Sequence, residues 1–184
     1  MGPNSNVCVL MTREQRLRRV LLICCHFARN MAYYRAGWKN KRLIRENEFW
    51  VSVNGNCIDI AVLEWCKLFG DVNDSHYWKK VVTDVSNFQS GLLLAIGPGM
   101  NMEGFQYYVK KVKQYRDKFV AHLDQDLIAE VPSLDDCWRA TQFYFRYILE
   151  REGNTFSFLG LPPDINAYYS AKLLEARREY GQET

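Results

Sequence analysis

The stretch EFWVSVNGNCIDIAVLEWCKLF, residues 48–69, decides between two fold classes. Taken locally, Val51, Val53, Ile58, Ile60 and Val62 alternate around Asn54-Gly55, a dipeptide suited to the type I′ turn of a β-hairpin. Taken over its whole length, Trp50, Val53, Cys57, Ile60, Ala61, Trp65 and Leu68 recur at helical spacing. The helix is the preferred reading of residues 49–62, because the stripe continues beyond any hairpin and a lone two-stranded hairpin is only marginally stable.

The segments on either side agree with that choice. From Thr12 to Trp38 the apolar positions Leu17, Val20, Leu21, Cys24, Phe27, Ala28, Met31 and Tyr34 step by threes and ones, which predicts a helix with one buried stripe, capped by Thr12 and stopped near Gly37. Lys39 to Arg45 then reads as an exposed basic connection. After a polar loop from Gly70 to Ser75, the pattern predicts a helix from Thr83 or Asp84 to Ile96, broken by Gly97-Pro98-Gly99. The next helix starts at an Asn101 cap and runs to about His122. Ser133 and Asp136 have the spacing of a capping box, with Asp in place of the usual Glu or Gln. The helix after them carries Leu134, Cys137, Trp138, Thr141, Tyr144, Phe145 and Ile148 and closes at Gly153. A last amphipathic helix spans Asp164 to Tyr180. The expected fold is all-α, a bundle of five or six helices over residues 1–155, with residues 156–184 as a C-terminal helical appendage packed on the same domain.

Composition fits a single globular domain, with 184 residues of which 48% are apolar and 24% charged. The longest apolar run, Val20 to Cys25, is far short of the roughly 20 residues that cross a bilayer, so no membrane partner is expected. It is also too short and too closely followed by His26 and Arg29 for a secretory signal. The six cysteines, at 8, 24, 25, 57, 66 and 137, are irregularly spaced and include no Cys-x-x-Cys pair. That pattern predicts reduced thiols in a cytoplasmic protein rather than a disulfide scaffold or a zinc ribbon.

Overall charge is only +3, but it is unevenly distributed. Residues 1–45 carry ten Lys or Arg against the single acid Glu14, which leaves the remaining residues net acidic. Inside that acidic remainder lies a second basic cluster, Lys110, Lys111, Lys113, Arg116 and Lys118, opposed only by Asp117. Such clusters suit a polyanion such as nucleic acid, although a single cluster is more often a plain solvated helix face.

The helix from Asn101 ends in Arg116-Asp117-Lys118-Phe119-Val120-Ala121-His122. On a regular α-helix with Arg116 at zero, Val109 falls at about 20°, Val112 at about 320° and Phe119 at about 300°. Arg116 therefore sits within the apolar stripe and needs an acidic partner, a subunit interface or an anion. His122 is displaced by about 240°, so the two side chains meet only if the helix end deforms or a second copy of the helix approaches.

This run resembles the Arg-x(4–6)-His signature of the HEPN (higher eukaryote and prokaryote nucleotide-binding) superfamily, in which a polar residue commonly follows the arginine, as Asp117 does. It looks most like the Arg-Asn/Asp-Lys-x-x-Ala-His form of the abortive-infection branch, and the all-helical pattern agrees over about residues 12–152. The tail after Gly153 has no counterpart in that pattern. The resemblance implies an α-helical bundle, usually dimeric, and a metal-independent ribonuclease or toxin that needs no cofactor. It also implies RNA as substrate and an antitoxin protein as a candidate partner.

The residues suit that chemistry. RNA carries its own nucleophile in the 2′-hydroxyl, so cleavage needs a base, an acid and a cation for the charge that builds on phosphate. His122 exchanges protons near neutral pH, Arg116 holds two phosphate oxygens at once, and Asp117 either orients one of them or only offsets Lys118. The expected catalytic set is Arg116, His122 and Asp117, with Lys110, Lys111, Lys113 and Lys118 binding RNA and no metal. Two rival readings stay open: a non-catalytic HEPN-like module that binds nucleotide, RNA or a protein partner, and a structural interaction protein whose Arg116 pairs with an acid such as Asp59 or Glu64. Cys24-Cys25-His26 points in divergent directions on a helix and is a poor ligand set. His76 reads as an exposed loop residue, and Phe143-Tyr144-Phe145 with Tyr147 reads mostly as core rather than as a base-stacking platform.

Overall fold

A computed structural model describes residues 11–120, 132–153 and 158–182, the side chains of 119 and 120 excepted. Its first helix, α1 (Arg13–Ala36), starts at Thr12, whose hydroxyl accepts from the Gln15 backbone N–H at 3.2 Å while the Gln15 side chain accepts from the Thr12 N–H at 3.0 Å. That reciprocal pair is a complete capping box. The burial on α1 is wider than the single stripe expected. Val20, Leu21, Ile23, Cys24, Cys25, Phe27, Ala28, Met31 and Ala32 are all buried. A helix that is apolar on most of its circumference belongs in the middle of a bundle, and α1 is enclosed by α2 (Glu48–Trp65), α6 (Asp135–Tyr147) and α7 (Ile165–Glu179).

Residues 48–65 form α2, a helix rather than a hairpin, capped by the Asn47 side chain on the Trp50 N–H at 3.1 Å. Asn54, half of the dipeptide that suggests a turn, is 3% exposed and fully used. Its amide donates to the Tyr34 carbonyl at 2.8 Å, and its oxygen accepts from the Trp38 indole N–H at 2.9 Å. The connection between α1 and α2 holds a hairpin of its own. Strands β1 (Trp38–Lys39) and β2 (Arg42–Leu43) pair antiparallel, with Trp38 opposite Leu43 and Lys39 opposite Arg42. Asn40 and Lys41 make the turn with φ of 49° and 63°.

A four-residue helix, α3 (Trp78–Val81), precedes α4 (Val85–Ile96), which Asp84 caps; with α5 (Met102–Tyr115), α6 and α7 this makes seven α-helices among the described residues. Gly97 and Gly99, at φ of 149° and 85°, take the chain from α4 into α5 through backbone conformations that other residues avoid. The Ser133–Asp136 capping box does not form. Leu134 occupies the cap position, Ser133 hydrogen-bonds to Asp135 instead, and Asp136 accepts from Arg139 at 2.7 Å. Asp164, the expected start of the last helix, caps α7. Helices α2, α5 and α6 each run on into a wide π-type turn, at Cys66–Gly70, Arg116–Val120 and Ile148–Glu152.

The core is strongly aromatic. Phe88 contacts Trp78, Tyr144 and Tyr147 at 5.0 Å between ring centroids, and Trp65 contacts Phe69, Phe105 and Tyr108. Tyr144, Phe145 and Tyr147 are therefore core, as read from their spacing. The C-terminal helix belongs to this unit: Arg35 on α1 pairs with Asp135 at 2.5 Å and its guanidinium donates to the Tyr169 hydroxyl at 3.3 Å, while Tyr180 packs on Trp50 at 4.8 Å. No helix of the described residues is long and apolar enough to cross a membrane.

Candidate functional site

Helix α5 positions the site. Asn101 caps it through the Gly104 N–H at 2.8 Å, and its inner face buries Phe105, Val112 and Tyr115 against the core. Residues 110 and 113, one turn apart, then share an outward face. That face forms one wall of a cleft of about 480 Å³, opposite α3 and the loop before it. Phe69, Trp78, Phe105 and Val109 supply apolar surface to it, and Lys79, Lys110, Lys113 and Asp117 are also in its lining.

Two of the four lysines expected to bind RNA therefore share the cleft. Lys111 faces elsewhere, with its ammonium 5.0 Å from the Tyr107 ring centroid, and Lys118 is exposed outside the cleft lining. Lys79 is the cleft residue that sequence reasoning missed. Its only signal is the Trp78-Lys79-Lys80 run after the polar loop, and its ammonium lies 5.2 Å from the Trp78 ring centroid.

Arg116, still at α-helical backbone angles, starts the π-type turn, so the regular wheel stops applying to the residues after it. Its side chain is 20% exposed and is held by its own neighbour: Nε donates to Asp117 Oδ1 at 2.8 Å, with a second nitrogen 2.7 Å from the same oxygen. Neither acid proposed as a structural partner takes that role. Asp59 accepts from the Tyr115 hydroxyl at 2.8 Å, and Glu64 pairs with Lys67 at 2.9 Å. Burial works against the Arg116 charge, but the Asp117 hydrogen bond, with Cys66 and Asp71 nearby, more than offsets it and leaves the guanidinium pKa above its ordinary value. Burial likewise pushes the Cys66 thiol up to about 11, with Arg116 pulling the other way, so Cys66 remains a thiol beside the motif. His122 lies outside the described residues.

His76 is not an exposed loop residue. Its side chain is 13% exposed, and Asp74 Oδ1 lies 2.7 Å from both its Nδ1 and its backbone nitrogen. Its Nε2 is buried without a hydrogen-bond partner among the described residues. This pair braces the loop that leads into Tyr77 and Trp78 on the cleft wall. No group of three or more His, Cys, Asp or Glu among the described residues is placed to hold a metal ion, and Cys24 and Cys25 are buried, free thiols.

In chemical terms, the cleft offers three ammonium groups for phosphate oxygens and aromatic surface for a base; Arg116 is not in its lining and adjoins it through Asp117. No family model, curated protein or solved structure matches the chain.

Proposed function

We propose that this chain is a HEPN-type, metal-independent endoribonuclease that holds single-stranded RNA in the cleft between α3 and α5. The observation that carries the reading is that Lys79, Lys110 and Lys113 line an aromatic-walled cleft together with Asp117, the partner of Arg116. Phosphates along a single strand need distributed cations, and bases need flat apolar surface. In this reading Arg116 stabilises charge on the scissile phosphate, Asp117 holds the guanidinium in place, and His122 exchanges the proton between the 2′-hydroxyl and the leaving oxygen. The protein acts as a homodimer in the cytoplasm, with Arg116 and His122 of both copies on one cleft, and works as a toxin restrained by an antitoxin protein.

One observation favours a second reading. Among the described residues the Arg116 guanidinium pairs with Asp117, which offsets its charge, as suits a non-catalytic RNA-binding module. The two readings separate in one experiment. Purified protein is incubated with single-stranded RNA in EDTA, beside a His122→Ala variant. The nuclease reading expects 2′,3′-cyclic phosphate ends, no cleavage at 2′-deoxyribose positions, and a His122→Ala protein that binds RNA normally without cutting it. Strict dependence on added Mg²⁺, or wild-type cleavage by His122→Ala, overturns it. Binding without cleavage by the wild-type protein assigns the module.

A further inference from the structure

The basic connection between α1 and α2 plays no part in the cleft, yet its geometry calls for a ligand. Lys39 and Arg42 are cross-strand partners, and like charges placed directly opposite each other destabilise a hairpin. Lys41 adds a third cation at φ of 63°, a left-handed backbone that Gly or Asn usually occupies. All three side chains are exposed, and none has an acidic partner among the described residues. The hairpin is nonetheless rigidly rooted. The Trp38 indole is bonded to buried Asn54, the Ile44 N–H donates to the Gly37 carbonyl at 2.9 Å, and the Asn54 amide comes so close to Gly37 that a Cβ there would lie 2.3 Å from it. A self-repelling turn held in a fixed pose is pre-organised for an anion that relieves the repulsion.

The same helix links this turn to the proposed site. Asn54 anchors the hairpin, and Asp59, five residues further along α2 (about 7.5 Å along its axis and about 140° round it), holds Tyr115 immediately before Arg116. We infer that the 38–43 hairpin is a second phosphate grip, in which Lys39, Lys41 and Arg42 hold the sugar–phosphate backbone of the RNA strand a few nucleotides from Arg116. The inference rests on RNA being the ligand of the cleft; it does not require that the RNA be cut.

The test uses the full chain and a fluorescent 20-nucleotide 2′-O-methyl RNA, which lacks the hydroxyl nucleophile, with affinity measured by anisotropy across a salt series. A Lys39→Gln, Lys41→Gln, Arg42→Gln variant should bind more weakly, and its plot of log affinity against log salt should be shallower by about 2, at roughly 0.7 for each phosphate of a single strand that is no longer neutralised. Lys41→Gly, which places Gly at the left-handed position, should lower the slope by about 0.7 without lowering the unfolding midpoint, so the effect is visible in a protein whose hairpin is intact. An unchanged slope in both variants, while Lys79→Gln, Lys110→Gln, Lys113→Gln weakens binding, refutes the hairpin grip and leaves the proposed function standing. A shallower hairpin slope together with no cleavage of ordinary RNA refutes the nuclease and keeps the grip. Hairpin variants that bind RNA normally but lose affinity for phosphatidylserine vesicles would reassign the turn to a membrane surface.

Discussion

Removing the Glu152 carboxylate should lower stability more than any exposed acid in this protein would. Its side chain is 1% exposed although it ends the π-type turn after α6. It accepts from the Thr83 N–H at 2.8 Å and the Thr83 hydroxyl at 3.0 Å, and it pairs with Arg13 on the first turn of α1. One carboxylate thus ties the start of α1 and the α3–α4 junction to the end of α6. Arg13 is about half exposed and re-enters water when its partner goes, so losing that ion pair changes stability little. The two Thr83 bonds are charge-assisted, and the first leaves a backbone donor behind; together they make about 2–3 kcal/mol a reasonable cost for Glu152→Ala. In a domain of this size that is a melting temperature lower by about 4–12 °C. Glu152→Gln, which keeps one acceptor oxygen, should fall between the two. Circular dichroism melts of the three proteins test the reasoning, and a Glu152→Ala protein melting within about 1 °C of the parent refutes it.

Two further perturbations follow from buried contacts. Gly37→Ala should destabilise by about 1–3 kcal/mol in urea unfolding, because its Cβ would displace the Asn54 amide from the Tyr34 carbonyl and Trp38 indole; an unchanged midpoint would mean that Asn54 moves aside freely. Burial raises the Asp59 carboxyl above its ordinary pKa, with the Tyr115 hydrogen bond pulling it back. A carboxyl raised on folding is unfavourable above its folded pKa and is relieved as pH falls through that value, so Asp59→Asn should gain relative to the parent near neutral pH and lose that advantage under acid. A stability difference between the two proteins that does not vary with pH contradicts this.

How far the sequence could be read depended on which contact set each residue's environment. Helix ends governed by local side-chain bonds were legible: Thr12, Asn101 and Asp164 cap as their types suggest. Ser133 does not, because the helix begins one residue later and Asp136 is drawn to Arg139. Asn54-Gly55 carries a turn's chemistry, but tertiary contacts with Tyr34 and Trp38 use the asparagine inside a helix. The true hairpin, at 38–43, has no glycine in its turn and too few residues to show alternation. At the candidate site, the spacing of Lys110 and Lys113 was enough to bring them together, whereas Lys79 arrives from a distant loop and leaves no periodic trace. Arg116 itself is still helical and turned inward, as its place in the apolar stripe suggests, whereas the π-type turn that starts there puts the residues after it outside a wheel of fixed step.

The enclosure of α1 also has a bearing on the order in which the chain is made. A ribosome completes α1 before the other described helices, yet α7 packs on it across sequence separations such as the 142 residues between Tyr33 and Glu175. Until α7 emerges, α1 presents an apolar flank to solvent or to a chaperone. Contacts this distant make closure slow for a helical protein. The Asn54 anchor beneath the hairpin, which Tyr180 adjoins at 3.5 Å, is finished only at that last step. Nascent chains therefore complete the packing around α1 only once α7 has been made.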